Sequence, residues 1–364
     1  AKTVQADAIG TGYAVFDAPN EHINIEDDSS LDFGTADFSL CFWAKSVSLE
    51  QDCLLSKRES STLGWAFFLW NGAATGDSVS FVIDDNSAAI VVNSGDNTFT
   101  ENTWHHIAIV ADRNDTMKLY IDGILKNTSA SISGIGTLSS SAPFAIGASR
   151  TESGTVTSSF DGYMKNIGAW TGLLTQPQIQ SIMEKTYSEL TASEKTSLVS
   201  WWGLDSTEGD TPLVVKDEHN TALGSELITR FTNWHDPADV TVTTDASTNT
   251  VTVQALDSSC SSVTYLSDSV GQGLCASNLP SGAYKVTFTA SWTSAPNGKQ
   301  IRWYYDGSNY NAHTITEGLN TFYGYTVTAN GNTHINLSFS NAVQNITLSN
   351  VTVKKLSGNY GGLF

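Results

Sequence analysis

From Met117 to Thr128 the chain reads MKLYIDGILKNT, with Leu119 and Ile121 alternating with their neighbours up to an Asp122-Gly123 pair. Side chains along a strand point to opposite faces in turn, so a period of two marks a half-buried strand. An Asp-Gly pair supplies the positive φ values of a type I′ turn, the tight connection of a hairpin. Short segments of the same kind fill the first ~170 residues at hairpin spacing. "FSLCFWAKSV" sets Phe38, Leu40 and Phe42 against Cys41 and Trp43, and "GWAFFLWN", "SVSFVID", "AAIVVN", "APFAIGAS" and "FDGYMKNIGAW" follow between Gly, Asn and Asp turns. A chain with this rhythm folds as an all-β sandwich, a jelly roll.

Helical signals are few. Thr175 with Pro177 opens "TQPQIQSIMEK" as an N-cap and an early proline, and Thr191 with Glu194 forms a capping box in "TASEKTSL". The stretch "LVSWWGLD" then returns to strand character. The pattern lapses over residues 205–224, which read as a linker between a first domain, 1–204, and a second all-β unit, 225–356, ahead of a Gly-rich tail, 357–364. Two β-sandwich domains in tandem, with one or two short helices, are therefore expected. The tail reads as an assembly handle or a frayed end, the latter being usual for termini.

Charge narrows the partners. Eighteen basic against thirty-seven acidic residues leave a formal charge of −19, with no Lys/Arg cluster to reverse it. Phosphate backbones and anionic membranes are repelled by such a surface, which argues against nucleic acid and membrane as partners. No stretch approaches the ~18 apolar residues of a membrane span. The sequence starts Ala-Lys-Thr-Val, without the pattern of a secretory signal, which fits cytosolic synthesis and equally a mature secreted chain. Cys41 and Cys53 read as free, half-buried thiols; Cys260 and Cys275 could be bridged or free, and no spacing suggests zinc.

The adjacent His105 and His106 invite a metal or catalytic reading. On a strand they point to opposite faces and cannot converge on one ion. Trp104, His106, Ala108 and Val110 then share one face, and His105, Ile107 and Ile109 the other, which makes both histidines framework. No pair of carboxylates stands at the strand spacing a glycosidase cleft needs, and no Gly-x-Ser-x-Gly elbow or phosphate loop occurs. No catalytic residues are assigned, and the chain is read as a non-enzyme.

Several of these motifs together resemble a known family. "SSLDFGTADFSLCFWAKS", "NTWHHIAIVAD" with "MKLYIDGILKNT", and "FDGYMKNIGAW" look like successive strands of the laminin-G-like, concanavalin A-like jelly roll, over most of residues 10–185. In the second unit, "GSELITRFTNW", "SGAYKVTFTASW" and "ITLSNVTVKKL" resemble a carbohydrate-binding-module sandwich, although Thr229-Arg230 stands where the pattern has Asn-Gly. "ELTASEKTSLVSWWGLD" is similar to linkers in structural and adhesive proteins of tailed bacteriophages. That resemblance implies a virion protein assembled in the host cytoplasm: a capsid decoration, fibre or tail appendage, homo-oligomeric or docked on other virion proteins, and touching host-surface glycans. A secreted or surface lectin-like adhesin is the alternative, and a glycan-active hydrolase the third reading.

The first resemblance also implies calcium at the sandwich rim. By position its donors would be Asp84, Asp85, Asn86 and Asp161, set against the plainer reading that these residues cap turns. A sugar would need exposed aromatic platforms with amides beside them. Trp65, Trp70 and Asn71 are candidates in the first unit. In the second they are Trp303 and Tyr305 on one strand face, Tyr304 on the other, with Tyr310 and Asn311 in the following turn. Core packing is the competing reading for each tryptophan.

Overall fold

The computed structural model describes residues 12–48, 52–59, 62–72, 76–151, 154–205, 207–208 and 214–220, then 223–226, 240–245, 250–255, 263–265, 282–292, 297–304, 310–326, 334–340, 345–356 and 358–363. The chain divides into two units, one built of residues 1–207, 215–221 and 363–364, the other of 208–214 and 222–362.

The strands of the first unit are β1 (Ala14–Phe16), β2 (Ile23–Ile25), β3 (Phe38–Ser46), β4 (Cys53–Glu59), β5 (Leu63–Gly72), β6 (Gly76–Asp85), β7 (Ala89–Asn93), β8 (His105–Ala111), β9 (Met117–Ile121), β10 (Ile124–Thr128), β11 (Phe144–Ile146), β12 (Ser149–Arg150), β13 (Val156–Thr157), β14 (Gly162–Trp170) and β15 (Leu198–Trp202). One sheet runs β1-β14-β3-β8-β9-β10, with β15 also on β14. The other contains the run β2-β11-β4-β5-β6-β7. Between them lies the core, with Phe38, Leu40 and Phe42 of β3 and Ile107 and Ile109 of β8 meeting Trp65, Phe67 and Leu69 of β5 and Phe81 and Ile83 of β6. The alternation of the sequence is thus the inside–outside alternation of the sandwich.

The first sheet is buried on its second face too. Cys41, Ala108, Val110, Tyr120, Trp170 and Trp201 pack under Ile179 and Ile182 of the single α-helix among the described residues, α1 (Gln176–Ile182). Each of those isoleucines gains about 1.5–3 kcal/mol by leaving water. The helix starts where the sequence signals it: Thr175 accepts from the Gln178 backbone and the Gln178 side chain returns to Thr175. Thr191 and Glu194 exchange the same reciprocal bonds, the Thr191 N–H donating to Glu194 Oε2 at 2.7 Å, but they cap a run of turns and not a helix.

Asp122 and Gly123 sit at φ 53° and 70° between Ile121 and Ile124, which pair across the hairpin. Both positive values are those of the expected type I′ turn. Cys41 and Cys53 are free and fully buried, deeper than expected. Burial pushes both thiols up, which keeps them unreactive.

The second unit, taken by itself, has a sheet of strands 240–245, 250–255, 345–356, 282–291 and 318–326, with 223–226 alongside 345–356. A second sheet contains 263–265, 334–340, 297–304 and 310–314. Tyr284, Val286, Phe288 and Ala290 are buried at a period of two while Lys285, Thr287 and Thr289 are only half-buried, so the strand 282–291 has one core face. Trp303, from the other sheet, lies 5.5 Å from Tyr284 and 6.4 Å from Phe322, ring to ring. A Cβ at Gly324 would stand 2.3 Å from the Trp303 ring, so the glycine makes the room that the indole fills. Of the tail, Gly361–Leu363 forms a short strand.

Candidate functional site

The outward face of β5, β6 and β7 carries the candidate site. Trp65, Phe67 and Leu69 of β5 point into the core, so Ala66, Phe68 and Trp70 point out. Register sets Phe68 opposite Ser80, Trp70 opposite Ser78, Ser80 opposite Asn93 and Val82 opposite Val91. At one end this face is closed: Ala66 and Val82 are buried, and the Arg58 guanidinium meets Asp84 Oδ2 at 2.7 Å. At the other end, where Trp70 lies opposite Ser78, it is open, with Trp70 46% exposed.

Asn93 organises the polar atoms of the open end. Its Nδ2 donates to Ser78 Oγ at 3.0 Å and to Ser80 Oγ at 2.9 Å, while its Oδ1 accepts from the Gly95 N–H at 2.7 Å. Both hydroxyls therefore receive a proton from the amide and keep their own to donate. Ser78 is 3% exposed and Ser80 half-buried, so Ser80 carries the hydroxyl within reach; with it, the indole face can take the apolar face of a pyranose and address its hydroxyl edge.

The other expected residues fall elsewhere. Trp65 is 1% exposed and packed among Phe33, Phe81 and Phe144, which closes both of its faces to a sugar. Trp303 is 1% exposed, with its indole N–H donating to the Tyr325 carbonyl at 3.2 Å. Both are core residues, a correction to the platform reading. Asn71, Tyr304, Tyr310 and Asn311 lie on strands with their side chains outside the described residues, as is the whole of Tyr305; Cys260 and Cys275 are likewise outside.

The acidic positions are engaged within the fold. Asp84 holds Arg58 and accepts the Asn86 N–H at 2.9 Å. Asp85 accepts from the N–H groups of Ser87, Ala88 and Gly136 at 2.8, 2.8 and 2.6 Å, and the bond from Gly136 does most to hold its carboxyl below the ordinary carboxylate range. Asn86 takes φ 68° in the turn between β6 and β7. Asp161 receives the Ser48 hydroxyl at 3.5 Å. Among the described residues no group of three or more His, Cys, Asp and Glu is placed to hold a metal ion. A calcium ion at Asp84 would have to displace Arg58, so the turn-capping reading fits these contacts.

The histidines divide as the strand requires. His105 faces Phe99 at 4.8 Å, and His106 faces Trp43 at 5.3 Å on the opposite side of β8. Burial pushes His106 down to about 4, the nearby Asp122 charge opposing it in part.

Residues 17–180 match the family model described as the concanavalin A-like lectin/glucanases superfamily. The first unit has a concanavalin A-like fold. No curated protein matches the chain. Among solved structures, the chain is similar to a putative carbohydrate-binding protein from Bacteroides ovatus, at 16% identity and TM-score 0.42, over 57% of this chain and 55% of that one. It is similar also to a pentraxin from Limulus polyphemus, at 14% identity and TM-score 0.39, over 47% and 80% of the two chains. The binding domain of botulinum neurotoxin serotype G is a third, at 11% identity and TM-score 0.38, over 94% and 87%.

Within the first unit, sequence reasoning names Trp70 as a candidate but not Phe68, Ser78, Ser80 and Asn93, which the structure sets beside it. Parity held part of the answer. Trp65 and Trp70 are five positions apart on one strand, so only one of them can face outward. The partners on β6 and β7 depend on register, which no single segment carries.

Proposed function

We propose that this chain is a non-enzymatic glycan-binding protein displayed in many copies on a virion surface, and that the open end of the β5–β7 face is its sugar site. The observation that carries the reading is Trp70, 46% exposed beside the Ser78–Asn93–Ser80 array. Asp84 and Asp85 stand at the closed end of β6, away from the indole, engaged with Arg58 and backbone N–H groups, and do not flank it as a free acid–base pair, which is in keeping with a binding role. The virion setting rests on the similarity of residues 189–205 to phage linkers. Weak single sites gain strength there through multivalent display.

Binding of the intact chain to an array of neutral glycans, followed by titration of any hit against Trp70→Ala, tests the site. A hit that weakens about tenfold or more in the variant is expected, because losing a stacked ring removes on the order of 1–2 kcal/mol. Equal binding by both proteins would remove Trp70 from the site. Antibody labelling of phage particles tests the setting: label on head, tail or fibre agrees with it, and bare particles favour a free lectin.

A further inference from the structure

A second cluster lies on the other sheet, where β1, β3 and β14 run side by side. Val15 of β1 pairs with Tyr163 of β14, Tyr163 pairs with Lys45 of β3, and Lys165 pairs with Trp43. Directly opposite residues share a face, so Val15, Tyr163, Lys45 and Lys165 stand on one surface. Tyr13 and Trp104 join them. Tyr13 meets Tyr163 edge-on at 5.1 Å and Trp104 at 5.9 Å, while Trp104 and Tyr163 are 6.4 Å apart.

Both ammonium groups are set on these rings. Lys45 Nζ lies 4.7 Å from the Tyr163 centroid and 5.8 Å from that of Trp104; Lys165 Nζ lies 5.2 Å from Trp104. Lys165 is 3% exposed and Trp104 4%, so of the two ammonium groups it is the half-buried Lys45 that solvent reaches. No described carboxylate forms an ion pair with Lys45. The chain has twice as many acidic as basic residues, thirty-seven against eighteen, yet here two lysines share one aromatic wall. Tyr13 and Val15 are 48% and 40% exposed and leave the apolar side of the cluster open to solvent.

We infer that this cluster is a second ligand site and that it takes a carboxylate-bearing pyranose, a uronic-acid type of sugar. The ammonium of Lys45 attracts the carboxylate by a charge-assisted bond. The exposed ring of Tyr13 and the Val15 side chain cover the C–H face of the sugar. A bare anion would use Lys45 and ignore Tyr13. A neutral sugar would use Tyr13 and gain nothing from Lys45. Polyanions such as nucleic acid are disfavoured by the −19 charge of the rest of the chain, whereas a single carboxylate on a small ring reaches the local positive field. The inference is independent of Trp70.

The test is calorimetric titration of the intact chain with a galacturonic acid trimer and with the same trimer as its methyl ester. The acid should bind about tenfold or more tightly than the ester, and added salt should weaken only the acid. Lys45→Met and Tyr13→Ala should each lower the affinity for the acid about fivefold, with melting unchanged because both side chains are partly exposed. Trp70→Ala should leave this binding as it is, which separates the result from that for the neutral-glycan site. Equal binding of acid and ester, or no effect of Lys45→Met, overturns the inference. So does full competition by acetate at the same concentration, which would mean a bare anion site. A change of oligomeric state in Lys45→Met without any effect on sugar would make the patch a contact between copies, and would overturn it too.

Discussion

His105 Nδ1 lies 2.9 Å from Asp122 Oδ2, a bond between the first residue of β8 and the turn that follows β9. The Thr100 N–H donates to His105 Nε2 at 3.1 Å, so Nε2 accepts and Nδ1 carries the proton given to Asp122. The other oxygen of the same carboxylate accepts the His106 backbone N–H at 2.9 Å. One aspartate in a left-handed turn position therefore ties both histidines into the framework. Burial would raise Asp122, but the bonds from His105 and His106 outweigh it and hold the carboxyl below its ordinary value.

Asp122→Asn keeps a residue that tolerates positive φ and removes the charge from these bonds. Stability by urea unfolding should fall by about 1–2 kcal/mol at neutral pH. Because the folded carboxyl titrates below the unfolded one, its contribution is present above the unfolded value of 3.8 and fades as pH falls below it. An unchanged midpoint in the variant would show that the bonds are only geometric.

His106 makes a second acid limb at higher pH. Its folded value is about 4 against 6.5 unfolded, so between those values the unfolded chain binds a proton that the folded chain refuses. Stability should drop as pH falls from 6.5 towards 4, by roughly 3 kcal/mol at most from this residue. His106 Nδ1 makes no hydrogen bond among the described residues, so His106→Phe removes a titrating group without orphaning a partner at that atom. The variant should show a flatter stability curve in that window; an identical slope would assign the limb to other groups.

Lys57 is 1% exposed, and its Nζ sits 2.6 Å from Asp27 Oδ1, 3.0 Å from Asp32 Oδ1 and 3.0 and 2.9 Å from the carbonyls of Ser140 and Ala142. Lys57→Met leaves four oxygens around an apolar group. A loss on the order of 3 kcal/mol in thermal or urea unfolding is expected, as for breaking a buried pair. A loss under about 1 kcal/mol would place the ion pairs among ordinary surface contacts.

Trp65 and Trp70 make a paired control. Trp65→Ala should cost about 3–5 kcal/mol through the cavity it opens, while Trp70→Ala should stay within about 1 kcal/mol. Circular dichroism melts decide this directly. Comparable losses would mean that Trp70 is a packing residue and not an open platform.

The local signals needed for the all-β fold were present in single segments. The Asp122-Gly123 hairpin, the two-residue period of residues 38–46 and the Thr175 cap each depend on a residue and its near neighbours, and local backbone preference is enough to make them legible. So did the opposite orientation of His105 and His106, which follows from the pleat alone. What tertiary structure decided is which of two alternating faces meets a core and which meets water. Period two is the same for Trp65 as for Trp70 and for Trp303 as for an exposed ring; only the presence of a facing sheet distinguishes them. The partners of Trp70 on β6 and β7, and the meeting of Tyr13, Lys45, Trp104, Tyr163 and Lys165, come from segments up to about 150 positions apart. Such contacts are set by strand register and sheet order, which arise from closing the whole sandwich over its core.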